Sequence, residues 1–128
     1  MLAITALYAG FIALLFLILT FRVILYRRDQ GISLGDKGDK EMFKRIRVQA
    51  NCAEYAPIGL ILLALVEAQG APALAVHALG LMLLIGRVMH GYGLSASPVV
   101  IWMRIGGMLL TTLMIGFAAL GLIAHAVL

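Results

Sequence analysis

The sequence predicts an all-α membrane protein, a polytopic bundle of four helices forming one transmembrane domain over residues 1–128. Three observations predict it. Of the 128 residues 63% are hydrophobic and the mean hydropathy is +1.06; a soluble fold of this length has too little interior to hide so much apolar surface. The apolar residues fall in four long runs, each able to cross ~30 Å of hydrocarbon as a helix. The segments between the runs carry the glycine, proline and charge that end helices.

The first helix is expected over about residues 2–26. Met1 to Phe21 holds no charged residue. No basic region precedes the run and no small-residue cleavage site follows it, so it reads as a retained span rather than a signal peptide. Ala6, Gly10 and Ala13 form a small-residue stripe suited to close helix contact. Arg22, Arg27 and Arg28 sit at its end, where cations suit the helix dipole. Asp29 to Asp39 is a polar loop with three glycines. Asp39 is placed to cap a second helix, with Glu41 in its first turn.

That second helix is expected over about residues 40–68, ~43 Å long and longer than the hydrocarbon, so its basic first turns protrude. Pro57 falls inside it and removes one hydrogen bond near Ala53. Cys52, the only cysteine, is expected as a small buried residue. Gly70 suits a helix C-terminus and Pro72 the first turn of the next helix. The third helix is expected over about residues 72–92, stopping at Gly93. Ser97-Pro98 reads as cap and first residue of a fourth, over about residues 98–127. Gly107 with Thr111, and Thr112 with Gly116, are spaced for helix contacts.

Orientation follows from charge. Eight of the ten basic residues lie in or beside the first loop, and Arg87 and Arg104 flank the third. The first and third loops are therefore expected in the cytoplasm and both termini on the opposite side.

The second helix opens with the chain's most informative face. Each residue turns ~100°, so Arg47, Asn51 and Glu54 fall within ~60° of one another. Glu54 heads an almost wholly apolar run, where a carboxylate costs ~2.5–3.5 kcal/mol by insertion scales. Arg22 on the first helix, Arg87 and His90 near the end of the third, and Arg104 near the start of the fourth are expected at a similar depth. Arg22, Arg47, Arg87 and Arg104 against Glu54 leave that layer with three positive charges in excess. Such a layer calls for water, lipid phosphate or an anionic ligand. Arginine's fork matches carboxylates, and Glu54 can receive an ammonium, so a ligand with several carboxylates and one amine satisfies it. No histidine stands at ligand spacing from a Cys or a carboxylate, so no metal site is expected. The basic loop is interleaved with acids and lacks aromatics, which argues against nucleic acid as a partner.

At these residues the chain resembles the MAPEG family, membrane-associated proteins of eicosanoid and glutathione metabolism, and within it the small bacterial branch. The segments that carry the resemblance are Ser33-Leu-Gly-Asp36-Lys-Gly-Asp39, Arg47-x3-Asn51-x2-Glu54-Tyr-x-Pro57, Gly86-Arg87-x2-His90-x-Tyr92-Gly93, and Arg104 with Gly107 and Thr111. The resemblance implies a homotrimer in a bacterial inner membrane, with glutathione as co-substrate bound between subunits near the cytoplasmic side. It assigns Arg47, Asn51 and Glu54 to glutathione, with Arg22, Arg87 and His90 as further binding residues. Arg104 and Tyr92 become the catalytic candidates, Arg104 by stabilising the thiolate. Two departures stand out: Ala50 replaces an arginine common in eukaryotic members, and Tyr92 lies five rather than seven residues past Arg87.

The function expected is a glutathione S-transferase or peroxidase acting on lipophilic electrophiles that arrive through membrane lipid. Two readings of other classes compete. A small four-helix multidrug exporter would use Glu54 as its proton and cation site, but such a site should be poor in cations. A non-catalytic module binding anionic lipid would show lipid dependence without thiol chemistry.

Overall fold

The computed structural model describes residues 1–128 and contains four helices and no strand: α1 (Ala3–Gln30), α2 (Lys40–Ala68), α3 (Ala73–Ser95) and α4 (Ile101–Val127). All four are long and apolar enough to cross a membrane. Loops 1 and 3 lie together at one end of the bundle, called here the loop end. Loop 2 and both termini lie at the other.

Three helix ends differ from expectation. α1 runs past Tyr26 to Gln30, because Arg27 to Gln30 continue the helix beyond its apolar span. Gly31 then closes it in the left-handed conformation, donating to the carbonyls of Arg27 and Arg28. α3 passes through Gly93 to Ser95. Gly93 allows close approach instead of a stop: a Cβ there would lie 2.6 Å from the Arg104 backbone nitrogen. α4 begins at Ile101, with Val100 and not Ser97 as its cap residue. The Ser97 hydroxyl is engaged elsewhere, accepting from Lys44 Nζ at 2.8 Å. The Ser97–Pro98 peptide is cis. Asp39 does cap α2, its side chain accepting from the Met42 amide at 2.9 Å. The Tyr26 hydroxyl donates to the same carboxylate at 3.0 Å, and these hydrogen bonds, the Met42 amide first, hold the Asp39 carboxyl below its usual range.

α3 and α4 make the most extensive pairing, whereas α1 and α4 are not neighbours. Glycine explains the first. A Cβ on Gly86 would meet Thr111 Oγ1 at 2.8 Å and the Gly107 carbonyl at 2.9 Å, and one on Gly107 would collide with the His90 amide. The core is apolar: Leu63, Val76, Leu83 and Met114 are fully buried, and Cys52 lies among them as expected. Outward positions such as Leu14, Ile18, Phe117 and Leu120 stay exposed, as lipid-facing residues must. Ala6, Gly10 and Ala13 also face outward, and a Cβ on Gly10 meets nothing within 4 Å. No helix of this chain uses that stripe. The Gly107–Thr111 pair is packed, while Thr112 is exposed and Gly116 meets open space.

At the terminal end Glu67 closes α1 onto α2. Its carboxylate accepts from the Ile4 amide at 3.0 Å and the Thr5 amide at 2.7 Å, both unpaired donors of the α1 N-terminus. It also accepts the Thr5 hydroxyl at 2.6 Å.

Candidate functional site

One face of α2 builds the site at the loop end. Lys40, Phe43, Lys44, Arg47 and Asn51 recur at three- and four-residue spacing, so one stripe carries them all. His90 and Leu94, one turn apart on α3, form the opposite wall, and Arg104 of α4 completes it. These eight residues line a cleft of about 440 Å³. Four of them are cations, and no carboxylate is among them.

Behind this wall lies Arg87, only 2% exposed. Its Nε donates to Thr111 Oγ1 at 3.0 Å, and one terminal nitrogen donates to the Asn51 side-chain oxygen. The other terminal nitrogen lies 3.2 Å from the Met108 sulfur, and the guanidinium stands 5.6 Å from the Tyr55 ring centre. No carboxylate pairs with it. An arginine can only donate, so the Asn51 oxygen must face Arg87. The Asn51 amide hydrogens are thereby left for the cleft. Arg87 thus acts through Asn51 rather than lining the space itself.

The remaining cleft residues divide into held and free. Lys44 donates to the Ala96 carbonyl at 3.1 Å and to Ser97, tying loop 3 to α2, and lies 3.6 Å from Glu41. Arg47 meets Glu54 at 3.5 Å, with both side chains about half exposed, a geometry worth little to stability. Glu54 borders the site without lining the cleft. His90 is buried, 4% exposed, and its ring takes part in none of the hydrogen bonds of the bundle. Arg104 is exposed and likewise without a side-chain partner.

Of the residues singled out from sequence, Arg47, Asn51, His90 and Arg104 come together here, with Arg87 behind and Glu54 beside them. Arg22 and Tyr92 do not. Both line a separate cleft between α1 and α3, where Arg22 donates to the Ser95 hydroxyl. Lys40, Phe43, Lys44 and Leu94 were not anticipated. The signal for the first three was present, since they continue the Arg47–Asn51 stripe one and two turns toward the N-terminus. Chemically, the cleft can hold an anion of several groups, offering point charges at Lys40 and Lys44, forks at Arg47 and Arg104, and amide donors at Asn51.

The profile of the MAPEG family matches residues 5–124. Inner membrane protein YecN of Escherichia coli strain K12 is 40% identical over 90 residues, which cover 70% of this chain and 69% of that protein. The protein of the same name from Escherichia coli O6:H1 strain CFT073 matches to the same extent. With four apolar helices, this likeness makes the chain an integral inner membrane protein.

Proposed function

This chain belongs to the MAPEG family, and from that premise we propose that it binds glutathione in the α2–α3–α4 cleft and acts as a transferase or peroxidase on lipophilic electrophiles. The observation that carries this reading is the wall of four cations with no carboxylate among them. Glutathione supplies two carboxylates to meet such a wall and an ammonium that Glu54, at the rim, can receive. Its thiol adds a third anionic group once ionised. A free thiol has a pKa of ~8.5 and is mostly protonated at pH 7. Lowering it by two units requires ~2.7 kcal/mol of preference for the thiolate. An arginine without another partner in a low-dielectric site supplies an interaction of that order, and Arg104 is the one placed for it. Lipophilic substrate then reaches the thiolate from the bilayer.

The loop end is taken as cytoplasmic, because every basic residue lies there. The assembly is taken as a homotrimer. Each copy would present its cleft near a neighbour, which is how Arg22 and Tyr92 of another copy could approach the ligand. Calorimetry of the purified protein with reduced glutathione and with an S-alkylated analogue tests the central reading. Heat of binding and thermal stabilisation with both ligands are expected. No heat and no stabilisation at millimolar ligand would remove the proposal. In that event proton-driven efflux in vesicles, abolished by Glu54→Gln, would establish the exporter reading instead.

A further inference from the structure

The side chains lining the α2–α3–α4 cleft divide unevenly between groups that give hydrogen bonds and groups that take them. Lys40, Lys44, Arg47 and Arg104 are cations and only donate. Asn51 has its side-chain oxygen on Arg87 and offers amide hydrogens to the cleft. Phe43 and Leu94 offer neither. His90 is the one member whose ring carries a nitrogen lone pair, and so the one place in the cleft where a proton can be put.

The ring is buried, 4% exposed, yet has no hydrogen-bond partner in the chain. A buried polar group in that state costs free energy until something meets it. Across the bundle, Thr20 Oγ1 is the one fully enclosed side-chain polar atom without a partner. The His90 nitrogens are equally unpartnered, so they are not enclosed, and the space they open to is the cleft. The charged groups facing the ring are Arg87 on its own helix, Arg47 on α2 and Arg104 on α4, all cations, with none from α1. A proton placed on the ring is repelled by all three. Its way out is short: His90 stands five residues before Ser95, the last residue of α3, or ~8 Å from the loop end.

With glutathione in this cleft, on which the step below rests, its thiol must lose a proton before it can react. Arg104 can stabilise the thiolate but, being a cation, cannot take that proton. We propose that His90 takes it. The S–H bond breaks, the proton moves to the ring nitrogen that carries no hydrogen, and the electron pair stays on sulfur as the thiolate beside Arg104. The imidazolium then gives the proton to water at the loop end, which restores the ring. The thiolate forms its bond to the electrophilic carbon, and the leaving group departs with the electron pair of the bond that breaks. Arg104 thus sets how much thiolate exists, and His90 sets how fast it forms.

Stopped-flow mixing of the full chain in detergent with reduced glutathione, followed by thiolate ultraviolet absorbance, reads this step. In wild type the rate at fixed pH should not depend on buffer concentration, because the proton acceptor is internal. His90→Gln can still hydrogen-bond but cannot take a proton. It should slow thiolate formation about 100-fold, within the usual contribution of a positioned base, and make the rate rise with buffer concentration. The final absorbance should be kept, and so should the calorimetric affinity for S-alkylated glutathione, which has no thiol proton to give. A wild-type rate that rises with buffer concentration overturns the proposal and needs no variant to fold. So does a His90→Gln rate equal to that of wild type, or a loss of affinity for S-alkylated glutathione in that variant with no loss of rate at saturation, which would make the ring a binding residue only. In each of these outcomes wild type still binds S-alkylated glutathione. Absence of that binding removes glutathione from the cleft, and this step with it.

Discussion

At the scale of single residues, Arg104 and Arg87 differ in what they do with the same guanidinium. Arg104 is exposed to the cleft and unpartnered, so its charge is available to a ligand. A thiolate is one charge more negative than a thiol and rewards that cation specifically. Arg104→Leu should keep much of the affinity for S-alkylated glutathione, which has no thiolate. It should lose the thiolate ultraviolet absorbance with reduced glutathione and at least ~10-fold in turnover, or ~1.4 kcal/mol. Equal loss of affinity for both ligands, with thiolate formation intact, would instead make Arg104 a carboxylate anchor. Arg87 is buried, and its donors go to Asn51 and Thr111. Thr111→Val removes the acceptor for Nε without touching the cleft, and should cost about 1–3 kcal/mol of stability. Thermal or denaturant unfolding in detergent reads that loss, and an unchanged stability would mean that Arg87 finds another acceptor. This contrast was only half legible in the sequence. Helical spacing grouped Arg47 with Asn51, and depth grouped them with His90 and Arg104. Spacing could not show that Arg87 points inward behind Asn51 while Arg104 points outward, because that depends on how α3 is rotated against α4.

The elements carry their own tests. Close approach of α3 and α4 depends on Gly86 and Gly107, whose missing side chains let the backbones near one another. Gly107→Ala would press a methyl group onto the His90 amide and should cost about 1–3 kcal/mol. Because His90 and Arg104 would be pushed apart, it should also weaken glutathione binding in calorimetry. Gly121→Ala, where a Cβ meets nothing within 4 Å, should be neutral or add up to ~1 kcal/mol through helix propensity. Similar melting temperatures for the two variants would refute the close-packing account. At the start of α2, Asp39 keeps its carboxylate low by hydrogen bonds from the Met42 amide and Tyr26. A carboxyl depressed in the folded state stabilises above its unfolded value, ~3.9, and loses that contribution as pH falls through its lower folded value. Wild type should therefore lose melting temperature on acidification below about pH 4 more steeply than Asp39→Asn. The Asp39 cap was readable, since an aspartate followed by an acidic first turn has one local interpretation. The ends of α3 and α4 were not, because each is decided by a partner distant in sequence, whereas α1 ends at a local signal, Gly31, beyond the apolar span. Gly93 serves α4, and Ser97 serves Lys44.

For the whole molecule, the fold class was the most legible property. Hydropathy and loop lengths leave few arrangements for four apolar runs in a membrane. Assembly is another matter, because a stripe of small residues looks the same whether a helix of the same chain or of another copy covers it. Ala6, Gly10 and Ala13 are bare within this chain. If the homotrimer forms, native mass spectrometry in mild detergent should show three copies, whereas monomers and dimers alone would contradict it. A bulky residue at Gly10 should then weaken the trimer without unfolding its subunits.

Glu67 has a consequence for how the chain enters the membrane as it is made. Its carboxylate closes α1 onto α2 at the terminal end using donors from Ile4 and Thr5 alone. Nothing from α3 or α4 is needed for that closure, so the hairpin can lock as soon as Glu67 has crossed the bilayer. A chain truncated after Ala71 and released into the membrane should therefore show the hairpin protected from protease in isolated membranes. The same chain with Glu67→Ala should be cleaved near its N-terminus. Equal protection of both would mean that α1 and α2 wait for the rest of the bundle before they settle.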